Sequence, residues 1–168
     1  MPAQLAVKAD PSTLPPLRWT LRRFHELDAD ALYGILRARQ DVFVVEQTCP
    51  YPDIDGRDAD AWHLCGHTAS EGGGALAAYA RLFAPGAVFA EASIGRILTT
   101  APVRGTGLGR VLVAEGLARL GEIAPGAAVR IGAQAHLQDF YRGLGFVTDS
   151  EPYDDDGILH VEMVRPGT

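Results

Sequence analysis

Between residues 92 and 120 the chain changes its hydrophobic period, and it does so across a run of glycines. Ala92–Thr100 reads as a strand, whereas Leu108, Val111, Leu112, Glu115 and Leu117 to Leu120 follow helical spacing. The joint between them is Arg104-Gly105-Thr106-Gly107-Leu108-Gly109. Glycine lets the backbone turn tightly and brings N–H groups close to an anion without a Cβ in the way. The helix that follows adds unpaired N–H groups and the positive end of its dipole. A strand, a glycine turn and a helix in this order make a phosphate cradle, to which Arg104 or Arg110 can add a charged donor. The alternative is a turn that only caps a helix. Two other glycine loops do not fit. No Gly-Lys-Ser/Thr follows, as a P-loop requires, and Leu112 stands where a dinucleotide fingerprint needs its third glycine.

The elements around this joint are legible from period and breakers. Residues 1–17 hold four of the eleven prolines and no periodicity, and read as a flexible tail ahead of a single domain over 18–168. Arg18–Phe24 alternates as a half-buried strand. Asp28 offers an N-cap to a helical region that reaches about Gln47, with room for a break in its middle. Cys49–Arg57 is a loop by composition. Trp62–Ala69 and Ala75–Phe83 read as strands joined through Gly72-Gly73-Gly74. Pro125-Gly126 ends the helix after the glycine turn. Val129–Ala133 is a strand, Gln138–Leu144 a short helix, Phe146–Thr148 a further strand, Asp154–Gly157 a turn and Leu159–Arg165 the last strand. Strands and helices alternate around a mixed sheet, an α/β or α+β arrangement.

Composition removes several function classes. Hydrophobic residues make up 47% of the 168, enough for a sizeable core. The net charge is −6 with no cluster of Lys or Arg, which argues against nucleic acid as a partner. An acidic chain is better suited to a cationic amine. Neither a signal peptide nor an apolar run of membrane-spanning length is visible. The two cysteines, Cys49 and Cys65, lack the spacing of a zinc site and read as reduced thiols of a cytoplasmic protein. The five histidines show no metal-ligand pairing.

Two segments carry a family resemblance. Arg104-x-x-Gly107-x-Gly109 resembles the R/Q-x-x-G-x-G/A signature of the GNAT acyltransferases, and Phe140-Tyr141-Arg142-Gly143-Leu144-Gly145-Phe146 resembles their F-Y-x-x-x-G-F segment. Further stretches are similar to the ElaA-like family within that superfamily: Val42 to Gln47 with Cys49-Pro50-Tyr51, Asp53 to Gly56, Ile131 to Gln138, and Tyr153 with Asp156-Gly157-Ile158 and His160. The resemblance implies the GNAT acyl-CoA N-acyltransferase fold. That fold is a mixed, mostly antiparallel sheet of six to seven strands, flanked by helices and splayed at strands 4 and 5. It implies that Arg104, Gly105, Thr106, Gly107, Leu108, Gly109 and Arg110 hold the pyrophosphate of acetyl-CoA. It also implies that Ile97, Leu98 and Thr99 pair with the pantetheine arm, and that coenzyme A is a product.

Acyl transfer to an amine needs a neutral amine, a polarised thioester carbonyl and a proton for the departing thiolate. The resemblance implies that Tyr141 is the general acid, the alternative being a core tyrosine. A backbone N–H near Leu98 is expected to polarise the carbonyl. Arg39, Phe43 and Glu46 share a face if the helix is regular. In one reading Glu46 receives the amine, Arg39 binds a substrate carboxylate and Phe43 lines the pocket; in the other the charges form an internal ion pair. His63 and His136 are further candidates for the base, each with a structural alternative, and His160 is a weaker one. Arg96 interrupts an apolar strand, so it points into a cleft or pairs with an acid. Asp55, with Asp53, lines an acceptor mouth or stabilises its own turn.

Neither cysteine has a nucleophile's surroundings, which favours direct attack in a ternary complex. The acceptor is open among a small amine, an amino acid, an aminoglycoside-like drug and a protein N-terminus. Two rival functions remain. One is a non-catalytic acyl-CoA-binding sensor or partner protein. The other is an acyl-homoserine-lactone synthase, which Arg39-x-x-Val42-Phe43 faintly resembles. An exposed edge strand would favour a homodimer.

Overall fold

A computed structural model describes residues 16–69 and 74–168. Of the expected tail, residues 1–15 lie outside the described residues, as do Gly72 and Gly73 of the expected hairpin connection. The sheet runs β1 (Leu17–Arg23), β2 (Trp62–Thr68), β3 (Leu76–Phe83), β4 (Ala92–Thr99), β5 (Val129–Gln134), β6 (Val147–Thr148), β7 (Tyr153–Asp155) and β8 (Ile158–Arg165). Its spatial order is β1-β2-β3-β4-β5-β8-β6, with β7 also paired to β8. All pairs are antiparallel except β4 with β5.

The helices are α1 (Ala29–Arg39), α2 (Leu108–Ile123) and α3 (Gln138–Arg142). Asp28 caps α1 by accepting from the Ala31 amide at 2.7 Å. Among the described residues no helix is long and apolar enough to cross a membrane.

β3 shows how the two faces are divided. Ala78, Ala80 and Leu82 belong to the core shared with α2, through Leu108, Leu112, Val113 and Leu120. Tyr79 lies on the other face, in a smaller cluster with Ile35 of α1, Cys65 and Leu98. This is the period-two alternation of a strand covered on both sides. Gly66 lets Trp19 of β1 lie flat on β2, since a Cβ there would sit 2.7 Å from Trp19 Cζ3. The variant Gly66→Ala is therefore expected to lose about 1–3 kcal/mol in urea unfolding, because the indole must move.

Two differences from the sequence expectation have physical causes. The aspartate run is half strand. Asp154 and Asp155 pair with Leu159 and Ile158, and only Asp156 and Gly157 turn, at φ 51° and 84°. Two positive φ values in a two-residue loop make a tight hairpin of the Asp-Gly type, so among the described residues the sheet has eight strands instead of six or seven. The second difference is at Gln40–Glu46, which follows α1 as a π-helix. The helical region does break in the middle, and the wider i→i+5 turn rotates the residues after Arg39 away from the face they would share in a regular helix.

β4 holds the feature that shapes the site. Its ladder with β3 is regular from Phe83↔Ser93 to Arg81↔Gly95, then resumes at Tyr79↔Leu98. Arg96 and Ile97 thus face the single residue Ala80, which is a β-bulge. The bulge inverts the strand's alternation: Ala92 and Ile94 pack toward α2, while Leu98, also even-numbered, packs toward α1. On its other edge β4 pairs with β5 only at Ala92↔Val129 and Ser93↔Arg130. Beyond these two rungs the strands part.

Candidate active site

The parting of β4 and β5 opens a cavity of about 440 Å³. Its walls come from β4 (Gly95, Arg96, Ile97), β5 (Gly132, Gln134), α3 (Tyr141), the π-helix (Phe43) and the β7–β8 hairpin (Tyr153, Asp155, His160). The loop 49–57 closes it with Cys49, Tyr51, Asp55 and Arg57. Tyr141 is 6% exposed and packs edge-on against Phe140 and Phe146, at ring separations of 5.0 and 5.9 Å. Burial alone pushes its phenol up to about 12, so the hydroxyl keeps its proton on the cavity wall at neutral pH.

Beside α3 lies the glycine turn. Gly105 and Gly107 sit at φ 79° and 83°, and Gly107 is the N-cap of α2. Among the described residues the amides of Gly105, Thr106, Gly107, Leu108 and Gly109 meet no acceptor. Added Cβ atoms at Gly105 and Gly107 would find nothing within 4 Å, so there is open space beside both glycines. Arg110 Nη1 donates to the Gly143 carbonyl at 2.9 Å. That bond fixes the first turn of α2 to the end of α3, and therefore the glycine turn to the helix that carries Tyr141.

Comparison with known proteins agrees with this arrangement. A model of the acetyltransferase (GNAT) domain matches residues 67–165. The chain is 39% identical to Protein ElaA of Escherichia coli over 151 residues, covering 89% of this chain and 96% of that protein. The chain belongs to the GNAT superfamily. Within it the chain is a member of the ElaA-like family, and is also 43% identical to a UPF0039 protein of Synechocystis sp. over 148 residues, 88% of this chain and 94% of that one. Among solved structures, an acyl-CoA N-acyltransferase from Pseudomonas aeruginosa matches with a TM-score of 0.83 at 38% identity, covering 89% and 99% of the two chains. E. coli ElaA matches with a TM-score of 0.80 at 38% identity and the same coverage. This GNAT protein is an acyltransferase, and its superfamily uses an acyl-CoA as cosubstrate. The five amides without an acceptor and the left-handed glycines fit a pyrophosphate, toward which they would act as hydrogen-bond donors.

Placement of the other sequence candidates in this GNAT chain is uneven. Tyr141, Phe43, Asp55, Arg96 and Ile97 meet on the cavity. Leu98 is buried beside Ile35, and Thr99 is half-buried with its carbonyl accepting from Arg104 Nε at 3.0 Å. Glu46 is off the cavity and pairs with Arg104 at 2.7 Å, both about two-fifths exposed. Arg39 is 0% exposed and out of a substrate's reach. Its Nε donates to Asp53 at 2.9 Å, its Nη1 to Asp58 at 2.6 Å and its Nη2 to the Asp53 carbonyl at 2.7 Å. An internal ion pair is thus the reading that holds for Arg39, with partners in the loop instead of Glu46.

His63 is also 0% exposed. Its Nε2 faces the Asp58 carbonyl at 3.0 Å and must donate there, so Nδ1 accepts from the Tyr79 hydroxyl at 2.8 Å. Burial lowers its pKa, and the ring is a neutral structural bridge. His136 is exposed on the turn after β5, away from the cavity wall.

His160, the weaker base candidate in the sequence, is placed on the cavity. It stacks on Tyr153, and its Nδ1 lies 2.8 Å from the Ile158 carbonyl. In the neutral ring Nδ1 therefore carries the proton and Nε2 the lone pair. The register Gln134↔His160 across β5 and β8 puts it in the site, and that pairing has no local sequence signal.

Proposed function

We propose that this protein is an acetyl-CoA-dependent N-acetyltransferase that moves an acetyl group to the primary amine of a small acceptor by direct attack in a ternary complex. The observation that carries the reading is the position of Tyr141, a protonated phenol on the cavity wall, on a helix tied to the glycine turn.

Bound acetyl-CoA supplies a thioester carbonyl activated for attack. The amides of Gly105 to Gly109 hold the pyrophosphate, with the N-terminal dipole of α2 behind them. Past the bulge, the free edge of β4 at Ile97 and Leu98 receives the pantetheine arm, and a backbone N–H of this edge polarises the carbonyl. Tyr141 gives its proton to the leaving thiolate. His160, with Nε2 as its lone pair, takes the proton of the incoming amine, directly or through water. A cavity of about 440 Å³ has to take both the acyl group and the acceptor, which suits a short acyl chain and a small amine. Cys49 lines the cavity, but its thiol donates to the Asp156 carbonyl at 3.2 Å and burial pushes its pKa up, so it is no nucleophile. Two buried free thiols suit a reducing, cytoplasmic setting.

A panel of small amines, amino acids, aminoglycosides and peptides, scored for thiol release from acetyl-CoA, tests the reading. Amine-dependent release by wild type supports it. Acetyl-CoA binding with no release across the panel points to the non-catalytic sensor.

A further inference from the structure

Six charged side chains meet at one side of the cavity, Asp55, Arg81 and Arg96 on its wall and Arg39, Asp53 and Asp58 behind them, and they balance. Three are guanidiniums (Arg39 of α1, Arg81 of β3, Arg96 of β4) and three are carboxylates, Asp53 and Asp55 of the loop and Asp58 at the start of the 3-10 turn that follows it. Arg81 holds Asp55 at 2.6 Å and Asp58 at 3.0 Å. Arg96 donates from Nε to Asp53 at 2.7 Å and reaches the Asp53 carbonyl at 3.3 Å and Asp55 at 3.4 Å. Asp53 is itself 6% exposed and gripped from the far side by Arg39, with Tyr51 donating to it at 3.1 Å.

Arg96 is also the bulge residue, and its φ is +50°. That is a conformation a long L side chain rarely adopts unless something else imposes it. Its neighbour Gly95 could adopt such a φ without strain, yet the strained residue is the one whose guanidinium is held by the loop. The carboxylate that holds it is fixed by the 0%-exposed Arg39.

We propose that the Arg96–Asp53 ion pair is a clamp that sets the β4 bulge, making Arg96 and Asp53 positioning residues for the acyl-binding edge and not contacts for an acceptor carboxylate. The argument rests on the reading of β4 as that edge. With the clamp closed, the alternation of β4 inverts at Arg96 and the backbone at Ile97 and Leu98 is presented to the parted side of the sheet. Loop 49–57 is then a brace for the catalytic strand as well as a wall of the cavity. The network of three guanidiniums and three carboxylates is neutral as a whole, so the charge of Arg96 is already compensated within it.

The test separates side chain from backbone at one position. Glycine at residue 96 removes the guanidinium but accepts a positive φ, whereas valine removes it and resists that φ. Arg96→Val is expected to lose about 100-fold in kcat, the cost of a misplaced oxyanion donor, with acetyl-CoA Kd and acceptor KM little changed. Arg96→Gly is expected to keep kcat within about fivefold of wild type. The ¹H–¹⁵N amide resonances of Ile97 and Leu98 should shift in the valine variant and stay near wild type in the glycine variant. Equal loss in both variants, with acceptor KM raised, would overturn the clamp in favour of a substrate contact. Unmoved resonances in the valine variant would overturn it too. If wild type turns over no amine, the transferase reading has failed, and the resonances still decide whether Arg96 sets the bulge.

Discussion

Replacing Tyr141 with Phe is expected to cut kcat by about 100- to 10,000-fold, the range for loss of a positioned general acid, while acetyl-CoA affinity stays within about twofold. The substitution removes one oxygen from a 6%-exposed ring, whose packing against Phe140 and Phe146 does not involve the hydroxyl. Stability should therefore be near that of wild type, and the loss should appear in kcat and not in KM. The phenol's raised pKa adds a pH expectation. Burial moves it from 10 to about 12, so Tyr141 stays protonated across the neutral and mildly alkaline range. Any fall in kcat below about pH 10 should then have the same midpoint in wild type and the Phe variant, because none of it comes from ionisation of this residue. Steady-state kinetics on the two proteins from pH 6 to 10 check both statements. A Phe variant as active as wild type would leave Tyr141 a packing residue.

Arg39→Met is expected to cost about 3–5 kcal/mol, because it strands carboxylates already out of water. Asp53 and Asp58 are each 6% exposed, and Arg39 makes three of the short hydrogen bonds that hold them. For a chain of this size that loss lowers Tm by roughly 10 °C or more. The same network sets an acid limit. Burial opposes ionisation of Asp55, but the Arg81 guanidinium overrides it and holds the carboxyl well below the ordinary carboxylate range. A depressed carboxylate stabilises the fold at pH above its unfolded value near 4 and loses that contribution as pH falls below it. Wild type should thus lose Tm on acidification below about pH 4, and Arg39→Met should start from a lower Tm throughout. Thermal melts by circular dichroism between pH 3 and 8 measure this. A variant with wild-type Tm would show that the buried charges do little for stability.

What the sequence carried and what it did not follow from the range of the interactions. The glycine turn was legible because its chemistry is contained in six consecutive residues, and the strands and helices because hydrophobic period is local. Tyr141 could be picked out by its place in a short motif. The assignments that failed depended on a regular period or on distant partners. Arg39, Phe43 and Glu46 share a face only in an unbroken α-helix, and the π-helix at Gln40 sends them to a buried network, the cavity and the surface respectively. The aspartates of loop 49–57 announced a turn, and Asp55 does accept from the Arg57 amide at 3.0 Å. Their guanidinium partners come from α1, β3 and β4, which no local spacing links to the loop. His160 enters the site through strand pairing alone, and although Arg96 visibly interrupts the apolar run from Ile94 to Leu98, the bulge there depends on the pairing with β3, which that run does not contain.

The central claim is that the turn from Gly105 to Gly109 binds the cosubstrate, and calorimetric titration with acetyl-CoA of wild type and Gly107→Trp tests it most directly. An added Cβ at Gly107 meets no atom within 4 Å, so the variant should fold, at a cost of roughly 1–2 kcal/mol for a positive φ. The indole would cover the open amides. The account predicts saturable binding to wild type at micromolar concentration, about −8 kcal/mol, and none measurable in a folded variant. No binding to wild type, or equal binding to both proteins, would contradict it.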